Sequence, residues 1–410
     1  MGSELKSLTG SNGSLAQHED SPRGVAGALK DERPLLKSDS NAGVAASTES
    51  IEEMEKKYAP YVRRDVYGTM GLGPWETKEK ILLGIALSIL VPIRVVIGML
   101  ILVLYYLICR ICTLFSAPNR DEEQEDYAHM GGWRRTTVIN SGRFLSRAML
   151  FTLGFYWISE THRSSSDQGE SRGLRDESER PGAIVSNHVS HLDILYHMSS
   201  SFPSFVAKRS VAKLPLVGLI SKCLGCVYVQ RESKSSDFKG VAGIVTQRII
   251  EAHQNKLSPR MLLFPEGTTT NGDFLLPFKT GAFLAKVPVL PVIVRYPYSR
   301  FSPAWDTISG ARHIFLLLCQ FVNYMEVVHL PAYYPSEEEK ENPKLYANNV
   351  RKLMAAEGNL TLSEIGLAEK RVYHAALNAS LNLNHLFGLL QVCFLKASLD
   401  LRTCKCSIDD

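Results

Sequence analysis

Two side chains that could move a proton together lie in the segment Asn187–Asp193, which reads Asn-His-Val-Ser-His-Leu-Asp. The segment follows a predicted buried strand and precedes a predicted helix. His188 and Asp193 are five residues apart in sequence, so they do not share a helix face. They meet only where His188 lies in the strand-to-helix turn and Asp193 reaches back from the first helical turn. A carboxylate beside an imidazole fixes its tautomer and stabilises the imidazolium, so the pair predicts a general base for a hydroxyl proton.

A glycine- and threonine-rich segment, Phe264–Gly272, follows another predicted strand and reads Phe-Pro-Glu-Gly-Thr-Thr-Thr-Asn-Gly. Ligand sites of α/β proteins form at the carboxyl ends of strands. Pro265 and Gly267 favour a tight turn whose backbone N–H groups can bind an anion, and the hydroxyls of Thr268–Thr270 can donate to phosphate. Glu266 suits an anion poorly, so we expect it to orient a basic residue or a glycerol hydroxyl.

Candidate phosphate ligands follow a third predicted strand, in the segment Gly225–Arg231. Arg231 ends this strand, and its guanidinium can donate two parallel hydrogen bonds to a phosphate. Further cations nearby in the sequence are Lys208, Lys213 and Lys279. A fourth segment, Val287–Pro291, carries two prolines in a strand-like run, which predicts a sheet edge or a bend.

Each motif has a structural alternative. Ser190 and Asp193 fit a helix capping box, and both histidines of the first motif could be surface or core residues. The threonine-rich segment could be an ordinary polar loop. Arg231 could form a surface ion pair.

Apolar runs that predict strands alternate with helical patterns through the second half of the chain. The predicted strands are Ala183–Ser186, Phe205–Ala207, Cys226–Val229, Met261–Phe264 and Val289–Val294. The predicted helices are Ile194–Ser199, Val241–His253 and Leu345–Ala356. This alternation predicts an α/β fold with a mixed, largely parallel sheet flanked by helices.

The strongest membrane signal is the apolar run Ile81–Cys109, whose only charge is Arg94. At ~1.5 Å per residue a helix over this run is about 43 Å long, more than the ~30 Å hydrocarbon core. Two geometries fit: a single tilted, kinked membrane helix, or a re-entrant helical hairpin that turns at Pro92. A second apolar stretch, Phe144–Ile158, is too short to span and predicts a helix at the membrane interface. A buried core helix is the alternative for each stretch.

Composition divides the chain further. The net charge of +4 is too small to indicate nucleic acid and suits an anionic lipid surface. We expect a disordered tail over residues 1–50, a membrane-associated helical segment over 51–160, an α/β domain over 161–335 and a helical C-terminal region over 336–410.

Cys223 and Cys226 form a CxxC without a second pair at zinc-site spacing, so free thiols are predicted, which favours a cytosol-facing domain.

The four motifs occur in the order found in the glycerol-phosphate and lysophospholipid acyltransferase family, which the sequence resembles over about residues 181–296. The matching segments are His188–Asp193 for the HxxxxD block, Gly225–Arg231 for the arginine block, Phe264–Thr268 for the third block and Val287–Pro291 for the proline block. Within the family, Glu266–Gly272 resembles most the lysophosphatidylcholine and lysophosphatidylethanolamine acyltransferase branch. The sequence has no DxDxDG-type loop, so the calcium regulation of some relatives is not implied.

The resemblance implies a membrane-bound enzyme that acylates the free sn-2 hydroxyl of a lysophospholipid, with lysophosphatidylethanolamine favoured over lysophosphatidylcholine. Acyl-CoA is the implied co-substrate, and neither a metal nor another cofactor is implied. The implied residues are the catalytic pair His188 and Asp193 and the acceptor ligands Arg231, Glu266, Gly267 and Thr268. The alternatives are a lysophosphatidic acid or glycerol-3-phosphate acyltransferase, a CoA-independent transacylase and an inactive membrane scaffold. The intact motifs argue against the scaffold.

The resemblance also implies an integral membrane protein of the endoplasmic reticulum with its active site facing the cytosol. Basic residues before the apolar run favour a cytosolic N-terminus, namely Lys56, Lys57, Arg63, Arg64, Lys78 and Lys80. A single span would then place the site across the membrane from cytosolic acyl-CoA, so supply of the donor favours the hairpin. Asn12, Asn359 and Asn378 lie in glycosylation sequons that stay unused on the cytosolic side.

Overall fold

The computed structural model describes residues 51–120, 124–164, 179–229 and 235–379. The predicted disordered tail, Arg231 and residues 380–410 lie outside these ranges. The strands of the described residues are β1 Ile158–His162, β2 Ala183–Ser186, β3 Ser204–Lys208, β4 Val227–Val229, β5 Met261–Leu263, β6 Phe274–Leu275, β7 Val289–Arg295, β8 Met325–His329 and β9 Thr361–Leu362.

The main sheet has the order β1-β8-β7-β2-β5-β3-β4. The strands from β7 to β4 are parallel neighbours, β8 is antiparallel to β7, and β1 is parallel to β8. The predicted mixed, largely parallel sheet is confirmed. Each predicted strand is present, whereas the sequence patterns do not predict β1 and β8. β1 reads Ile-Ser-Glu-Thr-His and is mostly exposed, so it lacks the apolar signal of a buried strand.

Helices cover both faces of this sheet. Their bounds are α1 Ile51–Lys57, α2 Thr77–Ile85, α3 Val91–Cys112, α4 Gly132–Thr152, α5 Leu192–Ser200, α6 Val217–Cys223, α7 Ser235–Gln254, α8 Gly310–Cys319, α9 Glu337–Glu341, α10 Pro343–Gly358 and α11, residues 367–379. Successive residues of β2 point to opposite faces. Ile184 therefore packs in a hydrophobic cluster with α3, α4 and α5, while Val185 packs in a second cluster with α7 and α10.

The apolar run forms one continuous helix, Thr77–Cys112, of 36 residues. It consists of α2, a short π-helical turn over Ala86–Leu90, and α3. Among the described residues, this is the one helix long and apolar enough to cross a membrane. Of the two predicted geometries the structure has the single helix, and the chain does not turn back at Pro92. The π-helical turn lies where the missing N–H of Pro92 would disturb the hydrogen bonds of an α-helix.

Two local predictions are wrong. The helix predicted over Phe144–Ile158 begins earlier and ends sooner, as α4, and Ile158 instead starts β1. Of the two structures predicted for the prolines, the sheet edge is wrong, because β7 lies between β2 and β8, whereas the bend stays a prediction. β8 pairs only with the part of β7 from Val292 onward, so Pro291 lies beyond that ladder and its missing N–H costs no bond to β8. The predicted free thiols are confirmed for Cys223 and Cys226, both buried.

Candidate active site

The turn between β2 and α5 holds two of the predicted site residues together. β2 ends at Ser186, His188 lies in the turn, and Asp193 is the second residue of α5. This path brings Nδ1 of His188 to 2.8 Å from Oδ2 of Asp193. The His188 side chain is 20% exposed, whereas the Asp193 side chain is fully buried. Donation from Nδ1–H to the carboxylate leaves the lone pair on Nε2, which is the tautomer that a general base needs.

Both carboxylate oxygens of Asp193 accept hydrogen bonds. Besides His188, Oδ2 accepts the N–H groups of Val189 at 2.8 Å and Ser190 at 3.0 Å. Oδ1 accepts the hydroxyl of Tyr296 at 2.6 Å. A buried carboxylate is tolerated where hydrogen bonds satisfy it, and these donors also fix its direction toward His188. The capping-box alternative is present only in part, because Ser190 Oγ has no hydrogen-bond partner among the described residues.

Three residues that sequence reasoning did not single out complete this turn. Asn187 joins it to β7, since its amide nitrogen donates to Val294 O at 2.9 Å and its amide oxygen accepts Val294 N at 2.7 Å. The ring of Phe264 stacks on the His188 imidazole, with ring centroids 4.1 Å apart and planes at 15°. Tyr296 is the third. Asn187 and Phe264 lie inside the quoted motifs, but no local pattern connects Tyr296 with Asp193, 103 positions away.

Glu266 joins the loop after β5 to the His188 turn. Its Oε1 accepts the N–H of His188 at 2.7 Å, and its Oε2 accepts the N–H of Leu276 at 2.9 Å. Burial raises the pKa of Glu266 to about 8, although the two backbone hydrogen bonds act in the opposite direction. The carboxyl group therefore braces two backbone segments from within the protein.

Gly267 makes the turn that the sequence predicts and brings a cation to it. Its φ of +72° is a conformation that glycine adopts without strain. A Cβ at this position would lie 2.5 Å from Nζ of Lys279. Only a residue without a side chain therefore lets the Lys279 amine lie against the turn, and the backbone N–H of Lys279 donates to Pro265 O at 2.9 Å. Lys279 appears in the sequence only as one of several nearby cations.

The three threonines after Gly267 have different surroundings. Thr269 donates its hydroxyl to the carbonyl of Trp305. Thr270 donates its hydroxyl to Phe274 O at 3.3 Å, and its N–H donates to His188 O at 3.0 Å. Thr268 is half-buried, and no described residue accepts or donates a hydrogen bond at its hydroxyl. The structure thus brings His188, Asp193, Glu266, Gly267 and Thr268 to one end of the sheet, and Arg231 lies outside the described residues.

The site lies at the carboxyl ends of β2 and β5, inside the part of the chain that the acyltransferase family model matches, residues 168–295. The chain belongs to the acyltransferase family and is an enzyme of that family. It is 61% identical to the lysophospholipid acyltransferase LPEAT1 of Arabidopsis thaliana over 405 residues, which are 93% of this chain and 98% of that relative.

Other relatives match a smaller part. The lysophospholipid acyltransferase LPEAT2 of Arabidopsis thaliana is 32% identical over 261 residues, 62% of this chain and 46% of that relative. The lysophosphatidylcholine acyltransferase 2 of Homo sapiens is 33% identical over 288 residues, 69% of this chain and 48% of that relative. The chain thus spans about half the length of these two relatives. Among solved structures, it is similar to the 1-acyl-sn-glycerophosphate acyltransferase of Thermotoga maritima, with a TM-score of 0.35 and 18% identity over 64% of this chain and 98% of that chain.

Proposed function

We propose that the enzyme transfers an acyl group from acyl-CoA to the free sn-2 hydroxyl of a lysophospholipid, with lysophosphatidylethanolamine as the favoured acceptor. The observation that carries the proposal is the contact of His188 with Asp193 beside the Gly267 turn and the Lys279 amine. The acceptor class is supported by the relative that matches nearly the whole chain, a lysophospholipid acyltransferase. The donor is supported by the order of the four sequence motifs.

In the proposed reaction, Nε2 of His188 takes the proton of the acceptor hydroxyl as that oxygen attacks the thioester carbonyl. The ester C–O bond forms, the C–S bond breaks, and the CoA thiolate leaves with the proton that His188 carried. Asp193 stabilises the imidazolium between these steps, since its Oδ2 lies 2.8 Å from Nδ1. The acyl group passes directly from sulfur to oxygen, so the protein need not carry it.

The acceptor phosphate requires cations or N–H donors near the reacting hydroxyl. Nζ of Lys279 lies against the Gly267 turn, and Thr268, which carries a hydroxyl donor, follows Gly267 in sequence. We assign these three residues, with Arg231, to the phosphate and glycerol end of the acceptor. Glu266 takes a different part in this proposal, because both of its oxygens already accept backbone N–H groups. It is a positioning residue for the His188 turn.

The long helix Thr77–Cys112 is proposed to lie along one leaflet instead of crossing the membrane. At its middle, Arg94 donates to two carbonyls at the C-terminal end of α8, at 2.9 Å and 2.5 Å. In its first turn Glu79 pairs with Arg300 at 2.5 Å, and toward its end Tyr105 donates to a carbonyl of α4 at 3.3 Å. These contacts with the rest of the protein, in its first turn, at its middle and toward its end, favour a position at the membrane surface over one that places Arg94 in the hydrocarbon core. The opposite side is apolar and exposed, and includes Ile89, Val96, Leu100 and Ile111.

This placement puts the active site on the same side of the membrane as the segment before α2. We assign that side to the cytosolic face of the endoplasmic reticulum, because acyl-CoA is supplied there. Asn359 is exposed and lies in a sequon, so the presence or absence of a glycan there shows which side of the membrane the domain occupies. We expect the enzyme from microsomes to show no change in gel mobility after glycosidase treatment. A glycan at Asn359 would overturn the cytosolic assignment.

The test of the reaction is acyl transfer from labelled acyl-CoA by the purified full chain, with lysophospholipids of different head groups and glycerol-3-phosphate as competing acceptors. The expected result is transfer to lysophospholipids, with lysophosphatidylethanolamine preferred. His188→Ala should bind lysophospholipid normally and lose at least about 10³-fold in kcat. His129→Ala, which changes an exposed histidine outside the site, is the matched control. Near-normal turnover in His188→Ala defeats the catalytic assignment, and acyl exchange without CoA defeats the donor assignment.

A further inference from the structure

The C-terminal helix α11 reaches the active-site loops through one lysine. Nζ of Lys370 donates to Thr269 O at 2.7 Å, to Thr269 Oγ1 at 2.8 Å and to Trp305 O at 3.2 Å. Thr269 lies in the loop after β5, and Trp305 lies in the loop before α8. The three donors of one ammonium group thus join two loops that are far apart in sequence.

Each of these loops also holds the backbone of the turn that carries His188. The N–H of Thr270, the residue after Thr269, donates to His188 O at 3.0 Å. The N–H of Trp305 donates to Val189 O at 2.8 Å. Lys370 therefore binds Thr269, whose neighbour Thr270 donates to His188 O. It also binds Trp305, which itself donates to Val189 O. The two loops also contact directly, since the Thr269 hydroxyl donates to Trp305 O, and Lys370 binds both partners of that hydrogen bond.

We propose that Lys370 is a positioning residue for the transfer reaction, which holds the His188 turn in its reactive place by joining the Thr269 and Trp305 loops. The inference rests on the proposed function and adds to it a residue beyond residues 168–295, the part matched by the family model. A displacement of the order of 1 Å at a catalytic group can cost about 10²-fold in rate. The loss of Lys370 should therefore lower kcat even where the chain remains folded.

The surroundings of Lys370 make this role dependent on pH. Burial lowers the pKa of Lys370 to about 8, while the carboxylate of Asp306, and that of Glu266 once it ionises near pH 8, act to raise it. The other group that faces the amine is the ring of Tyr61, whose centroid lies 5.5 Å from Nζ, and Arg63 pairs with Asp306 at 3.1 Å. The amine is thus charged at neutral pH and loses its proton as the pH rises through about 8, which removes one of its three donors.

The experiment compares kcat, KM and the pH profile of the purified full chain with those of three variants, per folded enzyme. Lys370→Met removes the ammonium, Lys370→Arg keeps a charge throughout the assay range, and Arg371→Met changes the exposed neighbour on α11 as control. We expect kcat of Lys370→Met to fall at least about tenfold, with KM for lysophospholipid changed less than about twofold. Lys370→Arg should recover part of kcat and lose the part of the fall near pH 8 that Lys370 causes, while the part caused by Glu266 remains. Arg371→Met should match the wild type.

The outcomes separate this inference from the proposed function. Absence of acyl transfer by the wild type overturns both. An active wild type together with Lys370→Met at wild-type kcat overturns the positioning role alone. If Lys370→Met does not fold, Lys370→Arg in the Glu266→Gln background decides, because Glu266→Gln removes the other group that titrates near pH 8. A fall equal to that of Glu266→Gln alone then shows that the proton of Lys370 is not involved.

Discussion

Tyr296 donates its hydroxyl to Oδ1 of Asp193 at 2.6 Å, on the carboxylate oxygen that does not contact His188. Both side chains are buried. Burial and the nearby carboxylate raise the pKa of Tyr296 well above its ordinary value, so the phenol remains a donor across the range in which proteins are assayed. Tyr296 therefore acts on the imidazole through Asp193, by fixing the direction of the carboxylate.

The first prediction concerns Tyr296→Phe, which removes this donor and leaves the ring. A hydrogen bond to a charged group contributes about 1.5–3 kcal/mol, so the free energy of unfolding should fall by that order. Because Asp193 then has one oxygen without a donor, we expect kcat to fall about tenfold with little change in KM. Thermal unfolding and steady-state transfer measure the two effects. Tyr298→Phe, at a more exposed tyrosine, is the control, and a kcat within twofold of wild type for Tyr296→Phe would contradict the role.

The second prediction concerns Asp193→Asn. Oδ2 of Asp193 accepts from Nδ1 of His188 and from the N–H groups of Val189 and Ser190. An amide cannot satisfy all these donors, and it can hold the imidazole in the wrong tautomer. The equivalent change in serine protease triads costs about 10⁴ in kcat. We expect a loss of about 10³–10⁴ in kcat with lysophospholipid binding retained. Loss of less than tenfold would show that His188 does not depend on this carboxylate.

The parts of the fold that the sequence predicts are those encoded locally. β2, β5 and β7 are buried on both faces, so each appears in sequence as a short apolar run. The His188 turn was also predictable, because strand, turn and helix follow one another within a few residues. The roles of Arg231, Gly267 and Thr268 as acceptor ligands remain predictions, as does the division of the chain at residues 160 and 335.

The parts that the sequence could not predict depend on contacts between distant segments. β8 joins the sheet by pairing with β7, and β1 joins it by pairing with β8. The contact of Lys370 with Thr269 joins residues 101 positions apart, with no motif around the lysine. Arg94 in an apolar run suggests a polar surface, but the sequence does not reveal that this surface is the end of α8.

The third prediction concerns the pH dependence of stability. The pKa of Glu266 is raised from 4.5 to about 8 in the folded protein, mainly by burial. The folded state thus binds this proton more tightly than the unfolded state, so the contribution of Glu266 to stability is full below about pH 4.5 and is lost as the pH rises toward about 8. The slope is at most about 1.4 kcal/mol per pH unit for one proton.

Glu266→Gln removes this titration, so the difference in unfolding free energy between wild type and variant should shrink as the pH rises from 5 to 8. The amide also turns a donor toward the N–H of His188 or Leu276, so kcat should fall at least about tenfold. Denaturant unfolding at several pH values tests the first effect, with Glu357→Gln, a half-buried carboxyl outside the site, as control. A pH-independent difference would contradict the raised pKa of Glu266.

The fourth prediction distinguishes the two placements of the long helix by the sign of one change. If Arg94 lay in the hydrocarbon core, Arg94→Leu would stabilise the protein, since a charged residue at the membrane centre costs about 3 kcal/mol. In the structure, Arg94 instead donates to Leu318 O and Gln320 O, and these carbonyls at the end of α8 would lose their donor. Arg94→Leu should therefore lower the thermal unfolding temperature of the enzyme in lipid nanodiscs, by an amount that corresponds to about 2–4 kcal/mol. Arg110→Leu, at an exposed position of the same helix, should change it little. An increase in unfolding temperature for Arg94→Leu would support a helix that crosses the membrane and would overturn its placement along one leaflet.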